Sequence, residues 1–159
     1  VELVWDIDSS DLDLHYRAPG GEFFDSCTPS STDCYYCSTN PDWGLNGEGH
    51  ADGNESNDPS LDVDNVNGYG PENINLGTLF DHSSVATIGV HYYCNHGGGT
   101  ATARIRIYVG GELEYELSKV LNQTELWEVA DITVSDNGTA VGITPLSTAL
   151  YPSTTRTCH

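Results

Sequence analysis

Two short segments of this 159-residue chain concentrate side-chain oxygens at spacings suited to a cation. In each segment carboxylate or amide groups recur every two or three residues, and turn-forming Gly and Pro interrupt the second. The groups are Asp6, Asp8, Asp11 and Asp13 in the first segment, and Asp62, Asp64, Asn67 and Glu72 in the second. Like charges this close repel one another, and a divalent cation removes that repulsion. Because Ca²⁺ takes about six to eight such oxygens, we expect a calcium-stabilised protein.

The second segment is not an EF-hand loop. The residue five places after Asp62 is Asn67, where that loop requires Gly, and the bidentate acid position does not align. Gly68, Gly70 and Pro71 can still fold the segment back on itself so that its oxygens converge. The alternative is an Asx-rich turn capped by its own side chains. The sequence leaves open whether the two segments form one site or two.

The first segment runs into a predicted strand from Asp11 to His15. Successive side chains of a strand point to opposite faces, so Asp11 and Asp13 share one face while Leu12 and Leu14 share the other. Carboxylates on alternate positions are costly unless a cation lies between them. The alternative is a row of solvated edge charges that discourages pairing with another chain.

Five cysteines, three of them between Cys27 and Cys37, indicate an oxidising compartment and therefore a secreted protein. We expect the disulfides Cys34–Cys94 and Cys27–Cys37, with Cys158 free or bonded to another chain. The alternative is a zinc site, since Cys34, Cys37, Cys94 and His96 have the ligand types of a Cys₃His centre.

Composition excludes several classes of function. The chain has 24 acidic and 5 basic side chains and a formal charge of −19, so it lacks the clustered Lys and Arg of a nucleic-acid binder. The same charge opposes adsorption to anionic lipid, and no apolar run approaches the length of a membrane span. We expect neither nucleic-acid binding nor membrane insertion. Methionine is missing even at position 1, which indicates a processed or excised segment.

The apolar pattern predicts an all-β fold, an antiparallel β-sandwich or jelly roll. Residues 101–109 alternate apolar and polar side chains, Gly110-Gly111 follows, and residues 112–117 alternate again, which is typical of a tight hairpin. Residues 127–134 and 139–144 flank a second hairpin turn at Asp136-Asn137-Gly138. Further strands are predicted at residues 85–93, which is the best candidate for a central strand, and at residues 3–5 and 12–16.

A long irregular region lies between these strands, from about residue 20 to residue 70. At most it contains strands near residues 22–24 and 34–37. A loop this long inside one domain is either functional or disordered. Because it holds three cysteines, Trp43 and the densest acidic segment, we expect a loop held by disulfides and metal within a single domain of residues 1–159.

Eight short motifs occur in an order that resembles the YfaP-like β-sandwich domains of secreted bacterial proteins, and more loosely the bacterial pre-peptidase C-terminal domains. They include Trp5-Asp-x-Asp, Asp11-Leu-Asp-Leu-His15, Asp33-Cys-Tyr-Tyr36, Asn40-Pro-Asp-Trp-Gly44, Asp58-Pro-Ser-Leu-Asp-Val-Asp64, Gly68-Tyr-Gly-Pro-Glu-Asn-Ile74, Gly89-Val-His-Tyr-Tyr93 and Arg106-Ile-Tyr-Val-Gly-Gly111. The resemblance covers about residues 4–130. It implies a jelly-roll-like accessory module outside the cell, without a known activity. Residues 136–159 lie outside it, as a C-terminal extension suited to serve as an assembly strand.

The sequence contains neither a Gly-x-Ser-x-Gly elbow nor a His-Glu-x-x-His motif, and we expect no enzymatic activity. His15 and His91 fall on predicted strands, where satisfied structural histidines are common. We therefore expect a non-enzymatic, extracellular, calcium-binding structural or adhesive module, in one form a homo-oligomeric surface-fibre subunit. The alternative is a calcium-dependent module that binds a glycan, with sugar-stacking aromatic side chains at Trp43, Tyr69, Tyr92 and Tyr93.

Overall fold

The computed structural model describes residues 1–43, 53–78, 83–135, 138, 140–146, 150–152 and 158. These residues form β-strands joined by turns, together with one 3-10 turn at Glu55–Asn57. The strands are β1 (Glu2–Trp5), β2 (Asp11–Arg17), β3 (Asp33–Cys34), β4 (Pro59–Val63), β5 (Glu72–Leu76), β6 (Ser84–Cys94), β7 (Ala101–Val109), β8 (Glu112–Leu121), β9 (Glu125–Val134), β10 (Val141–Pro145) and β11 (Leu150–Pro152).

The strands build two antiparallel sheets that pack face to face, which confirms the predicted all-β sandwich. The front sheet has the order β4-β5-β1-β7-β8, and the back sheet has the order β10-β9-β6-β2-β3, with β11 also paired to β9. Strand β6 lies between β9 and β2, as expected of a central strand. Both sheets bury one apolar face, and the two faces form one core. Its fully buried side chains include Leu3, Leu12, Leu14, Ile74, Ile88, Val90, Ile105 and Leu121.

The hairpin between β7 and β8 forms where the sequence predicts it. Val109 pairs with Glu112, so Gly110 and Gly111 alone make the turn. Their φ angles of 59° and 87° lie in the left-handed region, which a type I′ turn requires and glycine adopts without strain. The second predicted hairpin also forms, with Val141 of β10 opposite Val134 of β9. The turn residues Asp136 and Asn137 lie outside the described residues.

The described part of the region from residue 20 to residue 70 is more regular than its sequence indicates. Strand β4 lies inside it and pairs with β5. Strand β3 is shorter than expected, because residues 35–38 close on themselves through Tyr35 N–H to Ser38 C=O (3.1 Å) and its reciprocal bond. The expected strand at residues 22–24 is wrong. Phe24 has a φ of 59°, which a strand cannot accommodate, and its N–H donates to Asp33 Oδ2 (2.8 Å).

The C-terminal extension belongs to the back sheet of its own chain. Strands β10 and β11 pair with β9 one after the other, and Leu146 N–H donates to Val129 C=O (2.9 Å) between them. Cys158 is bonded to Cys94 at the end of β6. An assembly strand would have to leave these intrachain partners, so the described tail residues give no support to that expectation.

The two disulfides are Cys27–Cys37 and Cys94–Cys158, and Cys34 is a free, buried thiol. The first was expected; the expected Cys34–Cys94 bond is wrong. Cys34 pairs with Tyr16 and Cys94 pairs with Asp11. These two positions are about 16 Å apart along β2, whereas a disulfide joins Cα atoms within about 7 Å. The alternative Cys₃His zinc centre fails for the same reason, and because Cys37 and Cys94 are oxidised.

The described residues contain no helix long and apolar enough to cross a membrane. The two disulfides agree with an oxidising compartment.

Peptide mapping without reduction should recover the cross-linked pairs Cys27–Cys37 and Cys94–Cys158. The Cys34 thiol should resist alkylation in the folded protein, because it is completely buried and burial raises its pKa. Denaturant should expose one reactive thiol per chain, at Cys34. A cross-linked peptide that contains Cys34 and Cys94 would contradict the structure.

Candidate metal centre

The two acidic segments meet at the junction of the two sheets and form one cluster. Asp11 and Asp13 lie on β2 of the back sheet, and Glu72 is the first residue of β5 in the front sheet. Strand β3 pairs with β2 at Tyr16 and Arg17, which follow Asp13 along the strand. Glu72 Oε2 instead accepts the N–H of Leu14 (2.6 Å), so a carboxylate satisfies the edge of β2 where strand pairing has ended.

The loop from Asp64 to Glu72 is folded back by its own polar groups. Asn65 donates from its backbone to Glu72 Oε1 (3.3 Å) and from its side chain to the Gly70 carbonyl (3.0 Å). Gly68 forms a bridge with Ser10, immediately before β2. Gly70 has a φ of 84°, and a Cβ there would lie 3.0 Å from the Leu3 carbonyl and 3.1 Å from the Trp5 ring. These contacts require glycine at position 70 and bring Asp64 toward β2.

The carboxylates of this cluster are close together and largely withdrawn from water. One oxygen each from Asp11, Asp13 and Glu72 lies within 4.8 Å of the other two. Their exposed fractions are 7 %, 3 % and 1 %. Asp11 Oδ1 is buried without a hydrogen-bond partner among the described residues. We call Asp11, Asp13, Asp64 and Glu72 the carboxylate cluster.

Burial and mutual repulsion raise the carboxyl pKa values of Asp11, Asp64 and Glu72. Burial, followed by the charges of Asp13 and Asp64, raises the pKa of Asp11 to about 7. Burial is also the main cause that raises the pKa of Glu72 well above its usual value, and the nearby Asp13 charge adds to it. The pKa of Asp64, which is more exposed, is raised by the same two causes. Without a cation, these three carboxyls release their protons at a higher pH than carboxyls in water do.

Four of the eight predicted metal ligands lie outside the cluster. Asp6 accepts the N–H of Thr102 (2.6 Å), and Asp8 accepts the N–H of the next residue, Ser9 (2.9 Å). Asp62 is exposed on β4 and accepts from Ser60 and Asn75. Asn67 is exposed, and its N–H donates to Asn65 Oδ1 (3.1 Å). These four residues make hydrogen bonds in turns or on an exposed strand. A residue of an acidic segment is therefore not a metal ligand by its sequence position alone.

Two of the four aromatic side chains predicted to stack on sugars are unsuited to that role. Trp43 and Tyr92 are completely buried. Trp43 donates from Nε1 to the Ser31 carbonyl (2.7 Å), and the Tyr92 hydroxyl donates to the Gly99 carbonyl (2.9 Å). A ring without an exposed face cannot stack on a ligand from solvent. Tyr93 is partly buried, whereas Tyr69 is 58 % exposed on the loop that carries Asp64.

The sequence predicts structural roles for His15 and His91, and the structure places an aspartate side chain against each of them. His15 Nδ1 lies 2.7 Å from Asp33 Oδ2, and His91 Nδ1 lies 3.2 Å from Asp13 Oδ2. The signal available in the sequence is that His15 continues the alternation of Asp11 and Asp13 along β2. His91 carries no comparable signal, since only the register of β6 against β2 places it opposite Asp13.

The fold and this cluster define an all-β sandwich with a cluster of buried carboxylates contributed by both sheets. No protein-family model matches the chain, and neither a curated protein nor a solved structure matches it. The resemblance to YfaP-like domains therefore stays a prediction.

In chelator, the protein should be more stable near pH 5 than near pH 8. The raised pKa values mean that, between about pH 4 and pH 7, these carboxyls bind more protons in the folded chain than in the unfolded chain. This stabilisation is complete below the ordinary carboxyl pKa of about 4 and is lost as the pH rises through about 7, the pKa of Asp11. Differential scanning calorimetry should show a Tm several degrees lower near pH 8, since about 1 kcal/mol moves Tm by about 2–4 °C in a domain of this size.

Repulsion across the whole chain, whose formal charge is −19, also lowers stability as the pH rises. Two variants separate this general effect from that of the cluster. Asp11→Asn removes a cluster charge and should reduce the pH dependence, whereas Asp62→Asn removes an exposed charge and should leave it nearly unchanged. Equal effects of the two substitutions would assign the pH dependence to bulk charge.

Proposed function

We propose that this protein is a calcium-binding β-sandwich module, and that Ca²⁺ in the carboxylate cluster joins the two sheets. The observation that carries the proposal is the convergence of Asp11, Asp13 and Glu72 within 4.8 Å while all three are buried. Buried carboxylates are retained where a cation or a hydrogen-bond donor compensates their desolvation. No basic side chain is recorded in contact with Asp11 or Glu72 in the described part of the chain.

The donor type and the burial of the groups favour Ca²⁺ over Mg²⁺. All of the groups offer oxygen, which hard cations prefer. Their oxygens lie within 4.8 Å of one another, close enough to share one ion. Mg²⁺ gives up its waters reluctantly and usually keeps several of them, whereas Ca²⁺ accepts about six to eight oxygens in flexible geometry, which suits three buried carboxylates better. Asp64, which is exposed beside the buried groups, supplies a further carboxylate from the solvent side.

The site suits a structural role. Asp11 and Asp13 belong to the back sheet, while Glu72 and the loop from Asp64 belong to the front sheet. A cation shared by these groups therefore fastens one sheet and its loop to the other. We propose that the protein acts outside the cell as a non-enzymatic structural or adhesive module. The two disulfides and the strongly acidic composition support this placement.

Calcium should raise the Tm by several degrees, and more than Mg²⁺ at the same concentration. A ligand specific for the native state adds about 2.7 kcal/mol of stability at a hundredfold excess over its Kd. In Asp11→Asn the calcium-dependent increment should shrink and Kd should rise at least about tenfold, equivalent to about 1.4 kcal/mol. The same variant should be more stable than the wild type in chelator at pH 8, because one repulsive charge is gone.

Asp62→Asn is the matched control, since Asp62 lies two residues from Asp64 but outside the cluster. Isothermal titration calorimetry should give this variant the calcium affinity of the wild type. A wild-type melting curve that is unchanged by chelator and by added Ca²⁺ would refute the calcium proposal.

A calcium-dependent glycan-binding module is the second candidate, and the exposure of Tyr69 favours it. The Tyr69 ring is 58 % exposed, and its residue lies between Asp64 and Glu72 on the loop that the cation would order. A sugar could stack on this ring while its hydroxyls complete the calcium coordination.

A glycan array read with Ca²⁺ and with chelator distinguishes this candidate from a purely structural module. Calcium-dependent binding that is lost in Tyr69→Ala, with the calcium affinity unchanged, would establish it. Equal signals in the two conditions would exclude it.

A further inference from the structure

A second group of buried ionisable side chains lies beside the carboxylate cluster, on neighbouring strands of the back sheet. Asp13 and His15 lie on the same face of β2, and His91 of β6 is directly opposite Asp13 in the strand register. His15 and His91 are completely buried, and Asp33 of β3 is buried with them. We call Asp13, His15, Asp33 and His91 the histidine cluster.

Each histidine has its Nδ1 against a carboxylate oxygen. The Nδ1 atoms of His15 and His91 lie 2.7 Å and 3.2 Å from Asp33 and Asp13 respectively. With Nδ1–H donating to Asp33, a neutral His15 imidazole presents a lone pair at Nε2, the arrangement in which second-sphere carboxylates hold metal-binding histidines. The 3.2 Å between His91 Nδ1 and Asp13 Oδ2 is close to the distance of about 3.3 Å that separates two ligand atoms bound about 2.0 Å from one tetrahedral zinc ion.

Nε2 of His15 is buried without a hydrogen-bond partner among the described residues. A neutral ring leaves this nitrogen as an unused acceptor, and a protonated ring leaves an unused donor. Either state carries the cost of a buried, unsatisfied polar atom. A metal ion at this ring removes that cost.

We propose that the histidine cluster is a second metal site, specific for a first-row transition ion such as Zn²⁺, with Asp13, His15 and His91 as its protein ligands. One ligand atom from each of these three residues lies within 4.8 Å of the other two. Two imidazoles and one carboxylate match the zinc donor set, in contrast to the oxygen-only carboxylate cluster. Asp13 has two carboxylate oxygens and is able to serve both ions.

Aromatic side chains enclose the site. Phe24 contacts both rings edge-on, with centroid distances of 4.6 Å to His15 and 5.0 Å to His91, and Tyr35 stacks on His15 at 5.0 Å. Gly89 pairs with His15 across the strands, and a Cβ there would lie 2.8 Å from the Phe23 ring. Because its ligands are inaccessible to solvent, the bound ion is structural and is acquired during folding.

The test is to refold the full-length chain, with its disulfides intact, in the presence and absence of Zn²⁺. Gel filtration in excess Ca²⁺ then removes loosely bound zinc, and mass spectrometry of the elements gives the metal content. We expect one zinc ion per chain, held by Asp13, His15 and His91. His15→Gln should lose most of this zinc, whereas His96→Gln, at an exposed histidine, should retain it.

Cobalt provides a spectroscopic readout of the same site. Co²⁺ bound to imidazole and carboxylate should give visible ligand-field bands without a sulfur charge-transfer band, and His91→Gln should abolish them. A sulfur band would instead place the ion on cysteine thiolates and overturn the assignment.

The test separates this site from the proposed calcium site. Asp11→Asn should weaken calcium binding and leave the zinc content unchanged. Wild-type protein that refolds without retaining zinc overturns the proposal, even if the histidine variants fail to fold. Zinc that is lost in Asp11→Asn but kept in His15→Gln would place the ion in the carboxylate cluster and also overturn it.

Discussion

Repulsion among buried carboxylates at the junction of the two sheets is the constraint on which the account of this protein rests. Two like charges about 4 Å apart repel by about 4 kcal/mol at an effective dielectric constant of 20. The cluster places Asp11, Asp13 and Glu72 at comparable separations while removing them from water. The fold can hold them as protonated acids or with a cation. Protonation and cation binding therefore compete for the same groups, and stability depends on both.

The carboxylate cluster is linked to both sheets and to the loop before Glu72, so protonation or cation binding there affects contacts throughout the sandwich. Strand β3 leaves part of the edge of β2 without a strand neighbour among the described residues, and Glu72 of the opposite sheet accepts the Leu14 N–H there. The loop before Glu72 is closed by Asn65 and bridged to Ser10 through Gly68. Asp13 then links the carboxylate cluster to His91. Strand β2 thus carries Asp11 and Asp13 of the carboxylate cluster, together with His15, whose Nδ1 faces Asp33 of β3.

Much of this fold could be predicted from the sequence, because alternation and turn chemistry are local signals. The β7–β8 hairpin and the central position of β6 follow from such signals. Strand β4 was missed because its five residues include Pro59 and Asp62 and lie in a region rich in Asn and Gly. The pairing of Cys34 with Cys94 was wrong because it depends on the register of β3 and β6 against β2, which no local pattern encodes.

The sequence predicts the type of ligand in the candidate site, but not which of the acidic residues form it. The sequence indicated oxygen ligands in both acidic segments, and the structure brings together Asp11, Asp13, Asp64 and Glu72. It leaves Asp6, Asp8, Asp62 and Asn67 in turns and at an edge. The three carboxylates already accept hydrogen bonds there, and the Asn67 N–H donates to Asn65. Whether two segments converge is decided by strand register and by the contacts of Gly68 and Gly70.

The most direct test of the central claim is a crystal structure of the protein grown with Ca²⁺, with an anomalous difference map calculated for the calcium absorption. We expect a peak bounded by the oxygens of Asp11, Asp13 and Glu72, at about 2.3–2.6 Å from each. A map without a peak at this position, or with calcium bound instead at Asp6, Asp8 or Asp62, would contradict it.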